Sequence, residues 1–161
     1  IKNKIIGELH NPETHLIPTV VYKCFFNKKI YLYGNNYKTK DGTCERDYIH
    51  IKDICSAIEK STKYLMEKNK SKIFNIGNNK GLSNKQIINY IKKFVNSKIN
   101  LKYVDRRKGD VSRLVCNSNK VKKVLNWVPK NSNLKRIIND EINWIKNFNK
   151  IGLNRKFKKY L

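Results

Sequence analysis

The residues in this sequence best suited to chemistry are arginines. Arg46 stands beside Asp47 in ERDYIH, and Arg106 and Arg107 precede Gly109 and Asp110 in RRKGD. The remaining arginines are Arg113, Arg136 and Arg155, so almost all the positive charge in the chain is lysine. Lys, Asn, Ile, Tyr and Phe share AT-rich codons, and a drift toward them would replace any arginine whose role a lysine could fill. A retained arginine points to a need for its planar fork, which meets phosphate oxygens in pairs. Two such loops could clamp a diphosphate. They could equally be structural ion pairs, Arg46 with Asp47 and Arg107 with Asp110, and spacing alone leaves both readings open.

Other patterns carry less. Tyr48 with Lys52 and Tyr64 with Lys68 both match Tyr-x-x-x-Lys, the pairing that supplies an acid/base tyrosine in short-chain dehydrogenase-like enzymes. With nine tyrosines in so lysine-rich a chain, chance alone gives roughly two matches. Tyr48 falls in an expected strand, where residues four apart are about 13 Å distant, and Tyr64 falls on the expected buried stripe of a helix. FNIGNNKG, residues 74–81, sits between an expected strand and helix but lacks the full G-x-G-x-x-G, so it reads as a tight turn rather than a dinucleotide loop. His10, His15 and His50 show no evident pairing with a cysteine or carboxylate, and Cys24, Cys44, Cys55 and Cys116 form no close CxxC pair. The expectation is reduced thiols, no metal site and no nucleophilic triad.

The elements that would position these residues follow from periodicity. Leu16–Phe26 reads as a helix with Pro18 in its first turn. Ile30–Tyr33 reads as a strand ended by Gly34 and a polar loop. Tyr48–Ile51 has strand character. Asp53 can cap a helix whose stripe is Ile54, Ala57, Ile58, Tyr64 and Leu65. Ile73–Ile76 reads as a strand. Ser83 and Gln86 form a capping box ahead of Ile87, Ile88, Ile91, Phe94 and Val95. Leu101–Val104 is a further strand and Lys120–Leu125 a short helix. A long helix over 134–148 aligns Leu134, Ile138, Ile142, Ile145 and Phe148. Strands alternating with amphipathic helices make the class α/β, in one compact unit over residues 1–150 with a basic, mobile tail over 151–161.

At 161 residues the chain has the size of one domain, able to bury about two thirds of its unfolded surface. Its net charge of +24 suits a polyanion in principle, but the basic residues are spread from end to end and most aromatics fall in apolar periods. A nucleic-acid module would expose aromatics among the basic residues for base stacking. No apolar run approaches the ~20 residues that span a bilayer, no signal-peptide pattern is present, and position 1 is not methionine. The expectation is a cytoplasmic protein truncated at its start, with no nucleic-acid or membrane partner.

Taken together, HNPETHLIP from His10, GNNYKTKDGTCERDYIHIKDI from Gly34, FNIGNNKGLS from Phe74, RRKGD from Arg106 and NWVPK from Asn126 resemble the UDP-glucose 4-epimerases, in that family's order and spacing, over the carboxyl-terminal half of the family's length. The resemblance implies an extended short-chain dehydrogenase fold. In it a Rossmann domain binds NAD, and a smaller carboxyl-terminal domain closes on a UDP-sugar, with some strands completing the parallel sheet. It implies that Arg46 and Arg107 hold the diphosphate, Asp110 the uridine ribose, the backbone around Tyr31, Leu32 and Tyr33 the uracil, and His15 with Leu16 the neighbouring phosphate and base. It places the catalytic Tyr and Lys and the NAD contacts upstream, so this chain alone is expected to be inactive, and the intact enzyme to be a homodimer interconverting UDP-glucose and UDP-galactose. An epimerase for N-acetylated or uronic sugars is the alternative. Asn36, Lys38 and Lys108 depart from the family's commonest residues, and none of these changes removes a charge that the diphosphate needs.

Overall fold

The computed structural model describes residues 7–8, 10, 12–98 and 101–150, without the side chains of 148–150. Its elements in chain order are α1 (Leu16–Phe25), β1 (Ile30–Tyr33), β2 (Glu45–Asp47), α2 (Ile51–Lys68), β3 (Gly81–Ser83), α3 (Asn84–Val95), β4 (Leu101–Val104), β5 (Arg113–Leu114), α4 (Asn119–Leu125) and α5 (Leu134–Lys150). The α/β class is as the pattern of apolar residues implies. The chain forms two compact units: one takes residues up to Asn35, Asn84–Lys108 and residues from Ile138 on, and the other takes Asn36–Ser83 and Gly109–Ile137. The expected tail, residues 151–161, lies outside the described residues.

The first unit is built on aliphatic packing. Ile17, Val20, Val21 and Cys24 are buried on α1, and Ile87, Ile88 and Ile91 on α3, which packs against it. Their spacing of three and four gives each helix a single apolar face. Each such side chain contributes roughly 1.5–3 kcal/mol when removed from water. β1 and β4 pair in parallel, Ile30 opposite Leu101 and Tyr33 opposite Val104. Alternation along β1 sends Ile30 and Leu32 into the core and leaves Tyr31 exposed. Gly34 ends the strand at a φ of 75° with its N–H donating to Val104 O at 2.8 Å, a backbone state costly for a residue with a Cβ. On α5, Ile138 and Ile142 are buried one turn apart. The side chain of Phe148 lies outside the described residues.

The second unit has a three-stranded sheet in the order β3-β2-β5, with β2 antiparallel to β3 and parallel to β5. Its apolar cluster is small: Ala57, Val121 and Trp127, flanked by Ile49, Phe74, Ile76 and Leu125. Four expectations need correction here. The strand is Glu45–Asp47 rather than Tyr48–Ile51, because the ladder to β3 and β5 ends at Asp47. The cap of α2 is His50, whose Nδ1 accepts from Lys52 N at 3.0 Å, while Asp53 turns into the interior. Ile73–Ile76 forms no strand: Phe74 and Ile76 pack inward and Ile73 is exposed, a strand-like alternation with no ladder partner among the described residues. The expected apolar stripe of α2 is also divided, since Ala57 is buried but Ile58 and Leu65 are exposed and align with the exposed Ile51 at intervals of seven. No described helix is long and apolar enough to cross a membrane.

Candidate functional site

β2 alternates its side chains, so Arg46 lies on the face opposite Glu45 and Asp47. Arg46 Nη1 donates to Glu45 O and Val111 O, both at 2.9 Å, and Nη2 lies 3.4 Å from Asp110 Oδ1. Its ion-pair partner is therefore Asp110, which comes from the RRKGD segment, and not its neighbour Asp47. Both side chains remain about a quarter to a third exposed (25% and 33%), so the pair is open to solvent and to a ligand.

Asp47 has another task. Its carboxylate accepts from the backbone N–H groups of Asn78 (3.0 Å), Asn79 (3.1 Å) and Cys116 (3.2 Å). The FNIGNNKG turn thus aims its amides at an anion as a phosphate loop would, but the anion is the protein's own Asp47. Gly77 is required by this approach: a Cβ there would stand 2.4 Å from Cys116 Cβ and 2.6 Å from Asp47 Oδ2.

Tyr48 follows β2 in a loop. Burial pushes its hydroxyl up to about 12, with the nearby Arg46 acting only partly in opposition. A phenol so far above neutrality holds its proton, and Lys52 is exposed on α2, so this Tyr-x-x-x-Lys match has none of the geometry of an acid/base pair.

In the first unit, Arg107 stacks over the ring of Tyr33 at 3.9 Å from its guanidinium carbon to the ring centroid. Lys23 Nζ lies 5.4 Å from the centroid of Tyr31. Burial lowers the Lys23 ammonium, with Tyr33 working in the opposite direction. Leu32 is buried, so it can offer a ligand only its main chain, and among the described residues β1 is laddered on one edge alone, to β4.

His15 is the N-cap of α1, and Leu16 its half-buried first residue. The sequence reading missed the company His15 keeps. Its Nδ1 is 2.5 Å from Glu8 Oε1 and 3.5 Å from Glu13 Oε1, while His10 Nδ1 is 3.2 Å from the same Glu8 oxygen. The expectation that no histidine pairs with a carboxylate is thus corrected: the intervals between residues 8, 10, 13 and 15 fit no helix or strand period, and only the fold of the segment brings them together. Glu141 on α5 feels the same acids. Burial first, then the charges of Glu8 and Glu13, raise its carboxyl to about 7.

Three carboxylates organise the second unit in roles other than the cap expected of Asp53 and the ion pair open to Asp47. Asp47 is one. Asp41 accepts from Thr43 N (2.9 Å), Thr43 Oγ1 (2.7 Å) and Ser83 Oγ. Asp53, buried, accepts from Lys130 N (3.0 Å), Asn131 N (2.8 Å), Asn131 Nδ2 (2.6 Å) and Ser132 Oγ (2.5 Å). Burial alone would raise Asp53, but the hydrogen bonds from Ser132, Asn131 and Lys130 outweigh it and hold the carboxyl below its ordinary value. The available signal was scarcity: with 12 acids against 36 basic residues, a surviving Asp is informative in the way a surviving Arg is.

Comparison with known proteins places this geometry. The profile of the family described as GDP-mannose 4,6 dehydratase matches residues 7–140. A UDP-glucose 4-epimerase of Lacticaseibacillus casei is 39% identical over 143 residues, covering 88% of this chain and 43% of that protein. A crystal structure of a UDP-glucose 4-epimerase superposes with a TM-score of 0.83 at 41% identity, over 88% of this chain and 44% of the other. That of the Stenotrophomonas maltophila UDP-glucose-4-epimerase, with bound NAD and formylated UDP-arabinopyranose, superposes with a TM-score of 0.86 at 26% identity, over 91% of this chain and 44% of the other. The chain thus spans less than half the length of these relatives, matching their carboxyl-terminal part, and its fold is that part of an extended short-chain dehydrogenase fold.

Proposed function

Because this chain belongs to the family described as GDP-mannose 4,6 dehydratase and matches the carboxyl-terminal part of UDP-glucose 4-epimerases, we propose that it holds the UDP portion of a UDP-sugar in an enzyme that interconverts UDP-glucose and UDP-galactose. Residues 1–150 are the UDP-sugar-binding domain in this reading. Arg46 and Arg107 each engage diphosphate oxygens, Asp110 the ribose, the main chain of Tyr31, Leu32 and Tyr33 the uracil, and His15 with Leu16 the adjoining phosphate and base. No residue of this chain is assigned to catalysis or to NAD, which supplies the hydride acceptor when bound in the intact enzyme. The intact enzyme acts as a cytoplasmic homodimer.

The observation that carries the reading is the Arg107–Tyr33 stack at the end of β1. A guanidinium held this close over an aromatic ring has its position restrained while its N–H donors are left for a ligand, which suits contact with phosphate oxygens. Arg46 supports it: with Nη1 committed to two carbonyls, it needs only a solvent-open Asp110 to release Nη2 for a ligand.

The test is a UDP titration of this chain joined to the remaining part of a relative such as the L. casei enzyme, with a single-stranded oligonucleotide as comparator. Saturable UDP binding, weakened at least about tenfold by Arg46→Ala and by Arg107→Ala, is expected from the loss of one charge-assisted contact each. Oligonucleotide binding without UDP binding sinks the proposal.

A further inference from the structure

The proposed UDP contacts leave unexplained why Glu8, His10, Glu13 and His15 converge, in a chain where basic residues outnumber acids 36 to 12. Each offers one donor atom, two imidazole nitrogens and two carboxylate oxygens, and all four lie within 4.8 Å of one another. We propose that these four residues bind one divalent transition-metal ion of the zinc type. The inference goes beyond the functional reading above and does not depend on it.

Geometry carries it. An ion held tetrahedrally at about 2.0–2.2 Å from nitrogen and oxygen donors sets those donors roughly 3.3–3.5 Å apart. The observed separations of 3.2 Å (His10 Nδ1 to Glu8 Oε1) and 3.5 Å (His15 Nδ1 to Glu13 Oε1) already match. The 2.5 Å contact between His15 Nδ1 and Glu8 Oε1, a hydrogen bond, must open by about an ångström to admit the ion, exchanging a shared proton for a shared cation, while the wider donor pairs, all within 4.8 Å, must draw in. The two imidazole rings stand 4.7 Å apart at their centroids, tilted by 49°, so both nitrogens can face one point.

The donors are also held in place. Trp144 Nε1 on α5 donates to Glu8 O at 2.8 Å. Gly7 lies so close beneath that indole that a Cβ would meet Trp144 Cγ at 2.2 Å. His15 is fixed as the N-cap of α1, with its N–H donating to Glu13 Oε1 at 2.7 Å, and the Glu13 side chain is only 5% exposed. Anchoring of this kind on both sides lowers the ordering cost of binding.

The donor chemistry selects the class of ion. Two imidazoles disfavour calcium and magnesium, which take oxygen donors. The absence of sulfur from the cluster separates this site from the four thiols elsewhere in the chain. With two carboxylates and two neutral imidazoles the occupied site is charge-neutral, and only Glu13 of the four is not exposed, so the ion keeps one open side to solvent.

The test is a competition titration of Zn2+ between the full 161-residue chain and a chromophoric chelator at neutral pH, with Co2+ as spectroscopic probe. One equivalent of metal is expected, with a tetrahedral nitrogen/oxygen spectrum free of a thiolate charge-transfer band. His10→Ala and Glu8→Gln should each weaken binding at least tenfold, with Thr14→Ala, exposed between the ligands, as the unchanged control. His10 is exposed, so its variant should keep the wild-type circular dichroism. Failure of the wild type to bind one saturable equivalent overturns the proposal. So does unchanged affinity in the Glu8→Gln, His10→Ala double variant, and so does a thiolate band.

Discussion

The two units reach stability by different means. Of the buried residues described, the first unit holds the aliphatic Ile17, Val20, Val21, Ile30, Leu32, Ile87, Ile88, Ile91, Ile138 and Ile142, with Tyr22 and Cys24 beside them. Thr43, His50, Asp53, Ser83, Ser118 and Ser132, the polar or charged residues buried whole among those described, all belong to the second, whose apolar cluster is Ala57, Val121 and Trp127 with its flanking residues. The second unit has much loop backbone whose N–H groups no ladder satisfies, and Asp41, Asp47 and Asp53 take that place. A core of one kind tolerates errors of shape, whereas a network of the other tolerates almost no loss of a partner.

Changes in each unit should therefore fail differently. The largest effect is expected for Asp53→Ala, which strips the acceptor from four hydrogen bonds, one of them to the buried Ser132 hydroxyl, and leaves the N–H groups of Lys130 and Asn131 without that partner; a loss of about 3–5 kcal/mol in urea unfolding follows, and a loss below about 1 kcal/mol would break the comparison. Ile87→Ala opens a cavity against α1 in the first unit and should cost about 2–4 kcal/mol, with amide exchange accelerating in α1 and α3. Gly77→Ala forces its methyl against Cys116 and Asp47 and should cost about 1–3 kcal/mol, with the exchange of the Asn78 and Asn79 amides reporting that the Asp47 contacts have loosened. The smallest stability effect is that of Tyr33→Leu, about 0.5–1 kcal/mol, since it removes a cation–π contact between a half-buried ring and the exposed Arg107.

The same contrast has a pH signature. Asp53 titrates below its ordinary 3.8 in the folded chain, so its contribution is present above that value and lost as pH falls through its folded pKa. Glu141 is raised from 4.5 to about 7. Folded chain therefore binds the proton more tightly there, and stability rises as pH falls from about 7 toward 4.5. Urea midpoints measured across pH should climb on mild acidification and then drop. Glu141→Gln should flatten the climb while leaving the drop, and Asp53→Asn should do the reverse.

The first unit was the more legible in sequence, and the reason is the nature of its core. Ile87, Ile88 and Ile91, or Ile138 and Ile142, recur at helical spacing because one face of each helix must leave water, so their period is visible without any structure. Ile30–Tyr33 and Leu101–Val104 likewise read as strands. In the second unit, β3 was not anticipated, because Gly81–Ser83 has no strand-like composition and pairs only because Glu45–Asp47 is presented to it. Ile73–Ile76 had the composition and no partner. The α2 stripe misled at Ile58 and Leu65, since periodicity says which residues share a face and not whether that face is covered. Of the candidate site residues, Arg46, Arg107 and Asp110 stood out by residue type, but their companions did not: the structure pairs Arg46 with Asp110 and stacks Arg107 on Tyr33.

By itself, then, the sequence determined the α/β class, the helices with aliphatic stripes, the family resemblance and the two arginine-bearing segments, because each is expressed in residue type or in short-range period. The tertiary structure alone decided which carboxylate meets which donor. Asp47 reaches across 31 residues to Asn78 and 69 to Cys116, and Asp53 across 77 and more to 130–132. Such pairings have no period, since a hydrogen bond depends on position to a fraction of an ångström, and only the folded backbone sets that position.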